Sequence, residues 1–263
     1  SALNGMSVKL AWADGSSDET GFEIQRRLFA DSNWQTIATI GAGETTYTDS
    51  NASINTKYDY RVRAIGAAAD SPYSNTSTIT TPSITLSATN VGGSSGSTST
   101  VTPNVSYNLT GSGADINNRT DQFRYLRRQL TGDFDVRVKI DSITAATTNA
   151  MAGLMIRDTL DANSRNIFAK VKKDGSLSTS YRSSTGGGTS MIANGSSTFP
   201  NVYLRVTREG NVFTTYYSVD SFNWTKLARV TMSLPQKLYV GMAVASYSPT
   251  GKATAAFRDF VVE

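Results

Sequence analysis

The 263-residue chain contains no cysteine and no histidine. Without histidine there is no Ser-His-Asp or Cys-His machinery and no His-ligated zinc. Without cysteine there is no thiolate nucleophile, disulfide framework or iron–sulfur cluster. Charge is also scarce: 17% of residues are charged, and 25 basic against 21 acidic side chains leave a formal +4. No apolar run approaches the roughly 18 residues of a membrane helix, and Leu238–Ala245 near the end is only strand-length, so no membrane span is expected. The first residues lack the basic-plus-apolar signature of a signal peptide, and the first recognisable strand follows almost at once. The expectation is a piece of a larger secreted or cell-surface protein, although the missing cysteines suit a cytosolic chain nearly as well.

What the chain has in abundance is hydroxyl: 33 serines and 34 threonines. Threonine and aromatics favour strands, while serine, asparagine and glycine favour the turns between them. Alternation of apolar and polar residues recurs in Val8–Trp12, Phe22–Arg26, Tyr58–Ala64, Phe134–Ile140 and Leu204–Thr207, and helical periodicity is hard to find. The predicted class is all-β, built of half-buried antiparallel strands. Asp14-Gly15, Asp174-Gly175 and Asn194-Gly195 read as tight connections. The pattern restarts after Thr80-Thr81-Pro82-Ser83, which divides the chain into residues 1–82 and 83–263. The Gly/Ser/Thr-rich stretch Val91–Thr102 is expected as a long loop inside the second domain. The division also separates the charge: 6 − 9 = −3 in the first part and 19 − 12 = +7 in the second.

The first domain resembles a fibronectin type III module. The resemblance is carried by Trp12, Gly21-Phe22-Glu23-Ile24-Gln25-Arg26, Trp34-Gln35-Thr36-Ile37-Ala38, Tyr47-Thr48-Asp49 and Thr56 to Ala64. It implies a small immunoglobulin-like β-sandwich with framework tryptophans, Trp12 and Trp34, and a corner pinned by a tyrosine hydroxyl bonded back to the chain, for which Tyr58 is the candidate. No Arg-Gly-Asp triplet is present and the loop Ile65–Pro72 is mostly alanine and glycine, so the expected role is a spacer.

The second domain resembles the concanavalin-like, laminin-G-like jelly rolls attached to bacterial polysaccharide-degrading enzymes, including the C-terminal domains of some β-xylosidases. The carriers are Gly111–Ile116 with Asp121-Gln122-Phe123, Gly153–Asp158, Tyr181–Ser184, Leu204–Arg208, Tyr217–Asp220 leading to Trp224, and Tyr239–Val244. The resemblance implies a jelly-roll module that binds glycans without cleaving them.

The residues themselves argue the same way. Sugar hydrolysis usually needs two carboxylates a short distance apart. This domain has only two glutamates, Glu209 in a turn and Glu263 at the end, and its ten aspartates mostly adjoin Gly, Asn or Ser. A lyase using Tyr with Arg or Lys is an alternative, but lyase jelly rolls of that kind typically carry a histidine motif, and this chain has none. For binding, strand parity sets the faces. With Leu154, Ile156, Ile167, Leu204 and Phe213 inward, the outward set is Arg157, Phe168, Lys170, Lys172, Arg182, Tyr203, Arg205 and Tyr216. Aromatic rings can stack on a pyranose and guanidinium groups can grip a carboxylate or sulfate bidentately.

Ser218-Val219-Asp220 with Trp224 is similar to a sialidase aspartate box but one residue short, and Trp224 is expected to pack the turn. Asp115, Asp121 and Asp259 are the candidate ligands of a structural calcium, although Arg258 stands where related modules place an acid. Gly186-Gly187-Gly188 lacks the Lys-Ser/Thr of a phosphate loop. The basic residues are spread over several strands, so nucleic acid is not the expected partner. The combined expectation is a monomeric, non-catalytic carbohydrate-binding fragment for an acidic extracellular polysaccharide, tethered to a catalytic domain. A surface-adhesion module contacting protein is the alternative.

Overall fold

The computed structural model describes residues 6–53, 55–81, 85–102, 105–197 and 199–263. The chain divides into two compact units, Ser1–Ile84 and Thr85–Glu263. The boundary expected at Pro82-Ser83 lies outside the described residues. Among the described residues every regular element is a strand, as the alternation and the hydroxyl content lead one to expect.

The first unit holds β1 (Met6–Ala11), β2 (Glu19–Leu28), β3 (Gln35–Gly41), β4 (Thr46–Ala52), β5 (Lys57–Gly66) and β6 (Ser77–Thr80). A four-stranded sheet in the order β3-β2-β5-β6 accompanies the antiparallel pair β1-β4. Val8 and Ala52 from the pair meet Tyr58 and Tyr60 of β5 in the core, with Leu10 and Ile37 packed against them. Tyr58 does what the sequence asked of it: its hydroxyl accepts the Ser53 amide at 3.1 Å, five residues upstream. Asp49 is buried and accepts from Arg26 at 2.7 Å and from the Tyr60 hydroxyl at 2.8 Å. Trp12 packs on Phe22 with ring centroids 5.6 Å apart. Trp34 departs from the framework expectation. It packs on the guanidinium groups of Arg27 and Arg61, 4.6 and 4.2 Å from its ring. Those arginines occupy the polar parity of β2 and β5, opposite Phe22, Ile24, Tyr58 and Tyr60.

The second unit begins with β7 (Ser87–Val91), β8 (Gly96–Thr102) and β9 (Ser106–Gly113), then a two-residue pair, β10 (Ile116–Asn117) and β11 (Thr120–Asp121). The long strands follow: β12 (Phe123–Thr131), β13 (Phe134–Ala145), β14 (Met151–Arg157), β15 (Asn166–Lys172), β16 (Ser176–Arg182) and β17 (Ser190–Ser196). The chain closes with β18 (Val202–Glu209), β19 (Val212–Ser218), β20 (Thr225–Thr231), β21 (Lys237–Ala245) and β22 (Ser248–Val262). Two seven-stranded antiparallel sheets result. Sheet I runs β17-β16-β15-β14-β21-β12-β7, and sheet II runs β20-β19-β18-β13-β22-β9-β8.

Leu154, Ile156, Val240 and Met242 of sheet I and Val136, Val138, Leu204 and Val206 of sheet II are fully buried on the inward parity. Each such side chain contributes about 1.5–3 kcal/mol of burial. Thr179 and Thr215 join hydroxyls at 2.6 Å between the sheets, so a polar pair is accommodated in the core without an unsatisfied group.

Two local expectations are corrected. Val91–Thr102 is a short turn and a strand: Gly92 and Gly93 turn with φ of 65° and 75°, and β8 then leaves sheet I for sheet II, where it pairs along β9. Serine and threonine here follow strand geometry because β9 supplies a ladder partner. Asn194-Gly195 lies inside β17, at a register irregularity opposite Leu177, whereas Asp174-Gly175 is the tight turn predicted, with Gly175 at φ 88°.

Candidate functional site

Strand parity separates the basic and aromatic set into two groups on the outward faces of different sheets. Arg157, Phe168, Lys170, Lys172 and Arg182 belong to sheet I, while Tyr203, Arg205 and Tyr216 belong to sheet II. The parity is as read, but much of the outward face of sheet I is covered, while Lys172 and Met191 on the same parity keep exposure. A second apolar layer lies on it, in which Met151, Met155, Phe168, Phe123, Tyr125 and Ile116 pack together with Leu160 and Ala162 from the connecting segments. Arg157, Phe168 and Arg182 are consequently 0% exposed and Lys170 only 4%, against the expectation of a solvated surface. Lys172 keeps partial exposure and bonds Asn149 Oδ1 at 3.1 Å.

Asp121 explains the two buried arginines. Arg157 Nη1 and Arg182 Nη2 each donate to its carboxylate at 2.6 Å, and Asn166 Nδ2 adds a bond at 3.2 Å. The remaining guanidinium donors reach carbonyls: Arg157 those of Thr159 and Asp161, Arg182 those of Asn118, Ser164 and Gly187. The cluster therefore fastens three connecting segments over sheet I. With both Asp121 oxygens taken by guanidinium groups, the carboxylate has no place in a calcium site. Asp115 accepts the Ile116 amide at 2.7 Å, and Asp259 stands on sheet II, so the three proposed ligands do not converge. Among the described residues no group of three or more acidic side chains could hold a metal ion.

The sheet II group is at the surface. Arg205 on β18 lies beside Tyr216 on β19, its register partner, with the guanidinium carbon 5.4 Å from the ring centroid. The same guanidinium lies 5.6 Å from the Trp224 ring. Asp135 on β13 grips Arg205 through both oxygens, with Nε at 2.8 and 2.9 Å, and this hydrogen bonding pushes the arginine above its usual pKa. Trp224 is presented by the Ser218–Asn223 turn, where Asp220 accepts the amides of Phe222 and Asn223 at 2.9 and 2.8 Å. Those bonds hold the Asp220 carboxyl well below its ordinary pKa. Trp224, expected only to pack its turn, belongs to this row through its contact with Arg205. Tyr203 lies 5.4 Å from Lys139 Nζ, and burial, then the nearby Asp259, push its hydroxyl pKa up. Tyr203, Tyr216 and Trp224 all remain half-buried, so their rings are reachable.

The carboxylates of this unit are mostly engaged in structural bonds. Asp141 faces Lys139 and Arg258, Asp158 faces Arg165, Glu263 faces Arg137, and Asp174 caps its own turn through Ser176. Sequence reasoning missed the roles of Asp121 and Asp135. Asp135 had a signal, since it stands on a strand opposite the apolar set; Asp121 had none, because its partners are 36 and 61 residues away.

Comparison with known proteins follows from this fold. Residues 98–263 match the family described as the beta-xylosidase C-terminal concanavalin A-like domain. The chain belongs to that family. Among solved structures, a functionally unknown protein from Saccharomyces cerevisiae is similar at a TM-score of 0.52 and 17% identity, over 64% of this chain and 95% of that one. A carbohydrate binding module, CBM66, from Bacillus subtilis has a TM-score of 0.46 and 20% identity, over 67% and 94% of the two chains. A xylan beta-1,4-xylosidase from Bacillus halodurans has a TM-score of 0.43 and 17% identity, over 57% of this chain and 32% of the xylosidase. No curated protein sequence matches the chain. The concanavalin A-like jelly roll is thereby established for the second unit, as the sequence resemblance implied.

Proposed function

We propose that the chain is a non-catalytic carbohydrate-binding fragment whose concanavalin A-like unit holds an acidic polysaccharide outside the cell. In this reading it keeps a tethered glycan-degrading domain near its substrate. The observation that carries the reading is the placement of Arg205 against Tyr216 and Trp224 on the surface of sheet II. Partly exposed rings offer flat apolar faces for the C–H side of a pyranose, and the guanidinium, braced by Asp135, keeps those rings in fixed positions. The acidic preference is supported by the charge of residues 83–263, 19 − 12 = +7. We take the first unit to be a fibronectin type III spacer, supported by its four-plus-two strand arrangement and by the Tyr58 hydroxyl bonded to Ser53.

Affinity electrophoresis of the full chain through gels containing a polyuronate, a sulfated glycan or neutral xylan tests the reading. Retardation by the acidic gels that weakens from low to high salt is the expected result. Equal retardation by neutral xylan without salt dependence would remove the acidic preference, and no retardation by any glycan would overturn the function.

A further inference from the structure

Five basic side chains are buried among the described residues: Lys139, Arg157, Lys170, Arg182 and Arg208. Burial of a charge is costly unless the charge is paired and its hydrogen-bonding groups are satisfied. Three of the five have a carboxylate partner, and a fourth, Arg208, has its donors taken up by carbonyls alone. Lys139 has Asp141 at 3.3 Å, and Arg157 and Arg182 share Asp121. Arg208 donates to the carbonyls of Gly210, Leu234, Pro235 and Gln236.

Lys170 is different. Its ammonium has three donors, and the structure gives it one hydrogen bond, to the Ser180 hydroxyl at 3.2 Å. Among the described residues it enters no ion pair. The Phe168 ring, 5.5 Å from Nζ, supplies a weak cation–π contact. The side chain stands on the outward face of sheet I, with Gly153 and Ser178 as cross-strand neighbours and Lys172 two positions along β15. Gly153 leaves no side chain on that flank: a Cβ there would come within 2.0 Å of the Ala169 carbonyl. Besides Ser180, the cross-strand Ser178 and a second cation, Lys172, share this face, and although Asp115 acts on the ammonium electrostatically, no carboxylate comes within ion-pair distance of it among the described residues.

We infer that Lys170 is the anchor of a second ligand site, on the outward face of sheet I, for an oxyanion carried by a sugar, above all the carboxylate of a uronic acid, with Ser180 and Lys172 flanking it. A carboxylate would supply the acceptors the ammonium lacks and cancel a charge that the fold leaves buried. The charged groups that bear on Lys170 are Lys172 on its own strand, Asp115, and Asp121 in its cluster with Arg157 and Arg182. Burial dominates among these influences and pushes the amine down to about 8, so the free site loses its charge above that pH and an anion would restore it. The inference stands apart from the stacking row on sheet II.

The test uses the full chain labelled with 13C at the lysine ε carbon, titrated with galacturonate oligomers, with sodium acetate and with neutral xylo-oligosaccharides. The expected result is that the Lys170 titration midpoint rises by about one pH unit with galacturonate, equivalent to roughly tenfold tighter binding to the charged form, and not with xylo-oligosaccharide. A rise with acetate equal to that with the oligomer would overturn the assignment to a sugar-borne anion. K170M should lose at least tenfold in galacturonate affinity, whereas K170R should retain most of it and W224A should leave the Lys170 shift intact. An unmoved Lys170 signal at saturating galacturonate would overturn the site, and it is read on the unsubstituted chain whether or not K170M folds.

Discussion

Arg182 Nη2 donates to Asp121 Oδ1 at 2.6 Å where neither side chain has any exposure, and Arg157 approaches the second oxygen at the same distance. Removing the carboxylate leaves two guanidinium groups buried without a counterion, which costs far more than the net value of the ion pairs themselves. Asp121→Ala should lower stability by about 3–5 kcal/mol in urea denaturation. Hydrogen exchange should accelerate first in the segments carrying Asn118, Asp161 and Gly187, whose carbonyls the arginines hold. A loss below about 1 kcal/mol would mean that the backbone carbonyls alone satisfy the arginines.

Period-two alternation was enough to place β2, β5, β13 and β18, because each has one face on a core and one at the surface. The same reasoning assigned Arg157, Phe168, Lys170 and Arg182 to the outward parity correctly. It failed on exposure because β14 is buried on both faces, and a strand's own pattern carries no information on what a distant segment lays over it. Met155 and Phe168 on the polar parity were the available sign that a second apolar layer exists. Trp34 was misplaced for the converse reason: a tryptophan reads as core, and only the register of β2 with β5 brings Arg27 and Arg61 side by side on the face where it packs. Of the candidate site, Tyr203, Arg205 and Tyr216 were legible as neighbours on consecutive strands of a hairpin. Trp224 was legible only as part of a turn, since its contact with Arg205 depends on where that turn folds.

The row on sheet II gives a prediction that separates binding from folding. Trp224→Ala removes a half-exposed ring from beside Arg205 and leaves the inward face of β18 untouched. Glycan retardation should weaken by about 1 kcal/mol, roughly fivefold in Kd, with little change in Tm. Unchanged retardation in both Trp224→Ala and Tyr216→Ala would place the ligand elsewhere.

Close strand approach sets a third expectation. A Cβ at Gly153 would meet the Ala169 carbonyl oxygen at 2.0 Å and the Lys170 Cα at 2.8 Å, both of them backbone atoms that cannot rotate away. Gly153→Ala should force β14 and β15 apart and cost about 1–3 kcal/mol in thermal or urea unfolding. Gly188→Ala has open space around its Cβ and serves as the neutral comparison.

The first unit carries its own acid dependence. Glu23 accepts from the Thr36 hydroxyl at 2.5 Å, the Tyr73 hydroxyl at 2.9 Å and Arg63 Nε at 2.5 Å. These bonds, the Thr36 one foremost, hold its pKa down from 4.5 to about 2. A carboxyl depressed in the folded state binds its proton more readily when unfolded, so its contribution to stability is present in full above pH 4.5. It is lost progressively as the pH falls through the window down to about 2. Glu23→Gln should therefore destabilise the first unit near neutral pH and flatten the acid limb of its stability curve across that interval. Trp34 emission reports the transition, because the ring packs on Arg61, and Arg61 also lies over Tyr73, the partner of Glu23. An acid limb as steep in Glu23→Gln as in the parent chain would assign the dependence to Asp59, whose pKa is also lowered, chiefly by its bond from the Thr78 hydroxyl.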